Sequence, residues 1–502
     1  MNDEKRRERP QSENKAMPHF HGIAFGHPPH IAQGPFVQPG RFGRMFPNLP
    51  ALALADEAIE QLATGMKEAS PGPGQSEDPA FSHPTLPAGF TYLGQFIDHD
   101  ITFDTTPMPE RSVDPLQIHN FRTPALDLDS VYGAGPVAQP YLYQRGTPGL
   151  FLLGTAGASA NTPGRPEQIP DLPNDLPRNA EGFALIGDPR NDENLVVAQT
   201  HVAFLKFHNK VMTTKNLSFE DTRRAVTWHY QWIVLHDFLT RVAGEKVVAD
   251  VLNNGRHFYH VAKEPFIPVE FAIAAYRFGH TLVREKYDYN RVFGPPGPPR
   301  LFEATLGLLF NFTGLSGSVD GNGLKGIPSN WVIDWRAFHD VGPLPAGRSI
   351  NHTRLFDPLL VSQLHELPNK GGSLAARNLQ RGVRNQLPSG QSVANAMRLP
   401  VLTPEEIADG PAAKVDKRHR ITHQTPLWFY ILQEAKVKEK GLKLGPVGAR
   451  LVTEVFVGLL EKDPNSFLAQ NRRWTPDLGP KPGEFTFADL LRFVDDLNPI
   501  KD

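Results

Sequence analysis

The 502-residue chain contains no cysteine. That excludes disulfides, cysteine-ligated zinc, iron–sulfur clusters and a cysteine nucleophile. Any redox chemistry must then use a cofactor or another metal. There is also no run of about 18 apolar residues, so no membrane-spanning helix is expected. The opening segment, MNDEKRRERPQSENK, is charged and lacks an apolar export signal. A cytoplasmic protein, or one exported without such a signal, is the expectation. No charge of one sign dominates either: 52 Lys and Arg face 54 Asp and Glu, a net of −2 with His neutral. A global basic field for nucleic acid is absent.

What is present is ordinary globular material. Hydrophobic residues make up 40% and charged residues 21%, enough to build a sizeable core. Pro (48) and Gly (43) are frequent and fall in clusters that act as punctuation. Residues 1–17 read as a disordered arm. The stretches 71–84, 163–178, 294–300 and 314–326 read as surface loops. No repeat of fixed period occurs.

Between the loops the pattern is helical. In 194–212, Val197, His201, Leu205 and His208 form one stripe. Residues 219–242 open with acids, as a helix N-terminus prefers, and continue with an apolar face. The segments 269–283, 425–437 and 448–463 look alike. Few stretches alternate with period two. A mainly α protein with long irregular connections is expected. Nothing marks a linker, so residues 18–502 are expected to form one large helical domain.

Four polar clusters carry the chemistry. In YLGQFIDHDITFD (92–104), Gln95, Asp98 and His99 share a helix face at i, i+3 and i+4, while Asp100 points elsewhere. In GDPRNDENL (187–195), the Gly-Asp-Pro turn precedes a helix that Asn191 or Asp192 can cap. If that turn is helical from Arg190, then Arg190, Glu193 and Asn194 share a face. In AAYRFGHTL (274–282), His280 follows Gly279, where something flat can approach the backbone, and Arg277 lies one turn earlier. Asn378, in SLAARNLQRG (373–382), is a candidate acceptor for the His280 ring N–H or a helix cap. In RTPALDLDSVYG (122–133), Thr123, Asp127 and Asp129 are oxygen donors that can wrap a hard cation, outside the EF-hand pattern. Each cluster, alone, also reads as capped turns or a satisfied core histidine.

Together, GQFIDHD, LDLDSVYG, GDPRNDEN, RFGHTLV and NLQRG, in that order, resemble the animal-type haem peroxidases of the peroxidase–cyclooxygenase superfamily. The resemblance runs from about Phe46 to Phe487. It implies a haem peroxidase that reduces hydrogen peroxide and oxidises a small-molecule organic or halide donor. It implies His99 as distal base, Arg190 as distal arginine, Gln95 as distal amide and His280 as haem-iron ligand with Asn378 as its partner. It implies Arg277 and Arg381 beside the haem propionates, and Asp98 and Glu193 as the acids esterified to haem. It implies a calcium shell of Asp100, Thr123, Ala125 (through its carbonyl), Asp127 and Asp129. Asn194 stands where some members carry a methionine bonded to haem, which excludes that third link. Asn385 stands where the family motif after NLQRG usually has a histidine. The alternatives are a fatty-acid dioxygenase of the same superfamily and a non-catalytic haem-binding protein. Cyclooxygenase-type chemistry needs a tyrosine three residues before the proximal histidine, where this chain has Arg277. Tyr276 is one position off.

Overall fold

The computed structural model describes residues 40–70, 77–103, 119–261, 264–295, 300–314, 326–367 and 372–502. The expected arm over 1–17 lies outside them, as do parts of the loops at 71–84, 294–300 and 314–326. The longer helices are α1 (Asp56–Gly65), α2 (Gly89–Ile101), α3 (Leu195–Lys215), α4 (Phe219–Ile233), α5 (Glu245–Asn254), α6 (Leu374–Arg384), α7 (Leu427–Glu439), α8 (Pro446–Lys462) and α9 (Phe487–Val494). Strands are short. Gly40–Gly43 pairs antiparallel with His119–Asn120 and parallel with Ile267–Pro268. Ser82–Pro87 pairs with His352–Arg354, and Gly154–Ala156 with Leu172–Asp175. The mainly α expectation holds.

Helix α3 starts where Asn194 accepts from the backbone N–H groups of Val196 and Val197. The cap is therefore Asn194 and neither Asn191 nor Asp192, because Pro189–Asp192 winds as a separate 3₁₀ turn capped by Asp188. For the same reason Arg190, Glu193 and Asn194 do not share one helix. Helix α3 packs against α2, α4 and α9. It is buried on nearly every side, so the stripe that carried His201 and His208 is only part of its buried surface. Phe96 of α2 stacks on Phe204 of α3, with ring centroids 4.7 Å apart and planes 3° apart, and meets Tyr230 of α4 edge-on at 6.3 Å. These three rings fix the spacing of the helices that carry the site. One continuous apolar cluster runs from Phe42 to Ile500.

Two expectations need correction. The segment 269–283 is helical but not α: Glu270–Ala274 forms a π turn and Ala275–Leu282 a 3₁₀ run. Glu270 holds its start, since its carboxylate accepts from the backbone N–H groups of Met45 and Phe46. Residues three apart eclipse in a 3₁₀ winding, so Arg277 stands directly over His280. The stretch 163–178 is not all surface loop. Its end forms a strand, and Asn174, Asp175 and Leu176 are buried. There Arg178 donates to both Asp175 and Asp192.

Removing the Phe96 ring should empty a packed junction and cost about 3–5 kcal/mol. Phe96→Ala should therefore lower the denaturant midpoint strongly and Phe96→Leu by clearly less, measured by unfolding followed by circular dichroism.

Candidate active site

A cavity of about 480 Å³ lies between α2 and the 3₁₀ run Ala275–Leu282. Gln95, Asp98, His99, Arg190, Glu193, Arg277, His280, Asn378 and Arg381 all line it. Sequence segments up to 286 residues apart thus converge as the motif order required. Asp100 does turn away, fully buried on the opposite side of α2.

On the α2 side, His99 Nδ1 donates to Asn191 Oδ1 at 2.8 Å, and its Nε2 lies 3.4 Å from Glu193 Oε1. Gln95 donates to the same Glu193 oxygen at 2.7 Å. Asp98 accepts from the Thr102 hydroxyl at 3.0 Å. Arg190 is clamped. Its Nη2 donates to Asp188 Oδ2 at 2.7 Å and to the His99 and Thr102 carbonyls, and its guanidinium lies 4.4 Å over the Phe103 ring. Burial pushes the Asp188 carboxyl up, but the charges of Arg122 and Arg190 outweigh it and hold the group well below the usual range.

On the opposite side, burial and then the charges of Arg277 and Arg381 push His280 down to about 3, so its imidazole is neutral. Asn378 reaches it at 2.8 Å, from mid-α6, where Ser373 is the cap. The pairing is as expected but the polarity differs. The Asn378 amide nitrogen faces His280 Nδ1, because its carbonyl accepts from Arg277 Nη1 at 3.2 Å. Tyr276 also lines the cavity, with its hydroxyl donating to the Gly94 carbonyl at 3.1 Å.

The lining suits a flat, largely apolar group with acidic substituents. Phe238, Ile273, Leu306 and Phe310 give apolar surface, Arg277 and Arg381 give positive charge, and His280 gives a neutral nitrogen. A side-chain carbon at Gly279 would meet nothing within 4 Å, so the backbone is open there.

Beyond α2, Asp100, Asp127 and Asp129 place carboxylate oxygens within 4.8 Å of one another. Thr123 donates to Asp127 at 3.0 Å, and Ala125 lies in the same loop. The turn closes through Leu128 at φ 56°, whose N–H donates to Asp100 at 3.2 Å. Sequence reasoning missed three partners. Ser130 donates to Asp100. Arg122 bridges Asp129 and Asp188. Asn191 joins His99 to His201. The only signal for Asn191 was its place beside Arg190.

Burial, with the neighbouring carboxylates adding, raises Asp127 to about 6 and Asp129 to about 7 from 3.8, against the pull of Arg223 and Arg122. Asp100 is raised well above its usual value by burial and then by these two neighbours. The metal-free folded state thus holds more protons than the unfolded chain between about pH 4 and 7, so stability falls as pH rises through that window. With a chelator present, the melting temperature should drop across this range, and Asp127→Asn should flatten the drop, as read by thermal scans.

The animal haem peroxidase profile matches residues 106–300. That span holds the residue 123–129 loop, Arg190, Glu193 and His280. A peroxidase-like protein of Margaritifera margaritifera is 29% identical over 212 residues, 39% of this chain and 25% of that protein. The chain therefore spans about a quarter of the length of that relative. Peroxidase A from Dictyostelium discoideum superposes with a TM-score of 0.57 at 18% identity, over 93% of this chain and 94% of that one. An Oryza sativa fatty acid alpha-dioxygenase superposes with a TM-score of 0.56 at 17% identity, over 92% and 80%. These two show a shared fold. No helix among the described residues is long and apolar enough to cross a membrane. Motif, profile and fold agree in their likeness to the animal haem peroxidases.

Proposed function

We propose that the chain is a peroxidase that reduces hydrogen peroxide and oxidises a small organic or halide donor. The observation that carries this is the pair of histidines, His99 and His280, lining one cavity with Arg190 on the His99 side. Residues 18–502 act as one domain in this reading, which the continuous core supports. Haem, when bound, supplies the redox-active iron at which peroxide is reduced. His280 would ligate that iron through Nε2. Ligation leaves the ring proton on Nδ1, so Asn378 must then present its carbonyl and Arg277 must release it. A released Arg277, with Arg381, suits the haem propionates.

His99 does the proton work. With its Nδ1 proton held by Asn191, Nε2 is free to accept the first peroxide proton and return it to the departing oxygen, which leaves as water. Glu193 Oε1, 3.4 Å away, offers the imidazolium an accepting oxygen. The Arg190 guanidinium supports the negative charge that develops as the O–O bond breaks. Gln95 donates to the same Glu193 oxygen and fixes its position. Asp98 and Glu193 line the cavity from two elements, which supports one haem ester to each. The acid cluster is read as a calcium site of Asp100, Thr123, Ala125, Asp127 and Asp129, since hard oxygen donors suit that ion and three converging carboxylates need a cation.

A dioxygenase is the second reading. It is favoured by Tyr276 reaching the cavity despite its position in the sequence. The 3₁₀ winding turns about 120° per residue, so Tyr276 still does not stand over His280 as Arg277 does.

His99→Ala and Arg190→Ala in the haem-loaded protein should each slow the reaction with peroxide by about 10²–10⁴-fold in stopped-flow experiments. Losses below tenfold in both would remove these roles. After peroxide treatment, acid–organic solvent should leave haem attached to the wild-type chain and extract it fully from the Asp98→Ala/Glu193→Ala double variant. Complete extraction from the wild type would exclude the esters. Wild-type protein should hold one calcium by elemental analysis, and Asp127→Ala should lose it together with melting temperature. An ion-free wild type would sink the calcium reading.

A further inference from the structure

His201, one of the stripe residues of α3, has no part in the reading above, yet it contacts the site through a single side chain. We propose that Asn191 is a positioning residue which, together with His201, holds His99 in the tautomer with its proton on Nδ1. The proposal rests on the reading of His99 as the proton acceptor.

The three groups form a buried chain. His99 is 4% exposed, and Asn191 and His201 are fully buried. Asn191 Oδ1 lies 2.8 Å from His99 Nδ1, and Asn191 Nδ2 lies 2.9 Å from His201 Nδ1. An amide has one accepting end and one donating end. Set between two Nδ1 atoms, it forces the two rings into opposite tautomers. His99 carries its proton on Nδ1 and shows a lone pair at Nε2. His201 shows a lone pair at Nδ1 and carries its proton on Nε2.

The amide is held on both sides along the chain. Arg190, before it, is tied to Asp188, and Asp192, after it, is tied to Arg178 through two hydrogen bonds of 2.5 and 3.0 Å. His201 stands on α3, its ring edge-on to Phe96 at 6.1 Å and 78°. His201 Nε2 is buried with no hydrogen-bond partner among the described residues. The chain thus ends inside the core, so it orients His99 and does not conduct protons away. The arrangement suits both states of the base. When Nε2 gains a proton, the imidazolium finds Asn191 Oδ1 at one nitrogen and Glu193 Oε1 at the other.

The test reads tautomers without turnover. The full chain, with ¹⁵N-histidine and diamagnetic zinc protoporphyrin in place of haem, is studied by NMR, and the two signals are assigned by their loss in His99→Gln and His201→Gln. The wild type should show Nδ1–H at His99 and Nε2–H at His201. Asn191→Asp offers an accepting oxygen to both rings, so His201 should switch to Nδ1–H while His99 keeps its pattern. Asn191→Leu should leave His99 averaging between tautomers. In haem-loaded protein, Asn191→Leu should react with peroxide roughly 10²-fold more slowly, at the low end of what a positioned acid–base group contributes, and Asn191→Asp should recover most of that rate. An Nε2–H pattern at His99 in the wild type, or an Asn191→Leu variant that keeps both the Nδ1–H pattern and the rate, would overturn the proposal. A wild type with the expected tautomers that does not react with peroxide would support Asn191 as positioning residue and overturn the peroxidase reading alone.

Discussion

The Asp188 carboxylate, fully buried, is the joint between the two halves of the site. It accepts from Arg190, whose guanidinium also ties the end of α2 through the His99 and Thr102 carbonyls. It accepts from Arg122, which reaches on to Asp129 in the acid cluster. A buried carboxylate is tolerated only with partners of this kind, and removing one partner of such a pair costs about 3–5 kcal/mol. The His99 wall of the cavity and the residue 123–129 loop are therefore fixed to each other by two guanidinium bridges through one anion. A change in the acid cluster must reach His99 by this route as well as through α2 itself.

The histidines of the cavity are oriented by amides. Burial and nearby arginines keep His280 neutral. His99 and His280 each face one asparagine, Asn191 and Asn378. An asparagine adds no charge, yet its orientation decides which ring nitrogen carries the proton. At His99 the amide carbonyl faces the ring, and at His280 the amide nitrogen does, because Arg277 has taken the carbonyl. The two sides of the cavity are therefore not equivalent.

Much of this was legible in the sequence, and for physical reasons. Helical periodicity placed Gln95, Asp98 and His99 on one face and Asp100 on another, since side-chain direction in a regular helix depends only on spacing. The long helices over 194–212, 425–437 and 448–463 followed from their apolar patterns. The windings around His280 were not legible, because π and 3₁₀ turns keep a helical pattern while changing its pitch. Nor were the roles of Asp188, Arg122 and Asn191. Their partners lie far along the chain or across a turn, and a single polar residue at a turn gives no sign of which distant group it meets. His201 was visible only as an apolar-stripe histidine, and its Nδ1 acquired meaning once Asn191 was seen to point at it.

The account stands on the cavity holding one haem with His280 as its ligand. Titration of the full chain with haemin, followed by absorption spectroscopy, tests that directly. Saturation at one haem per chain with the spectrum of imidazole-ligated iron, and loss of that spectrum in His280→Ala, is the predicted result. Absence of saturable binding, or an unchanged spectrum in His280→Ala, would contradict it.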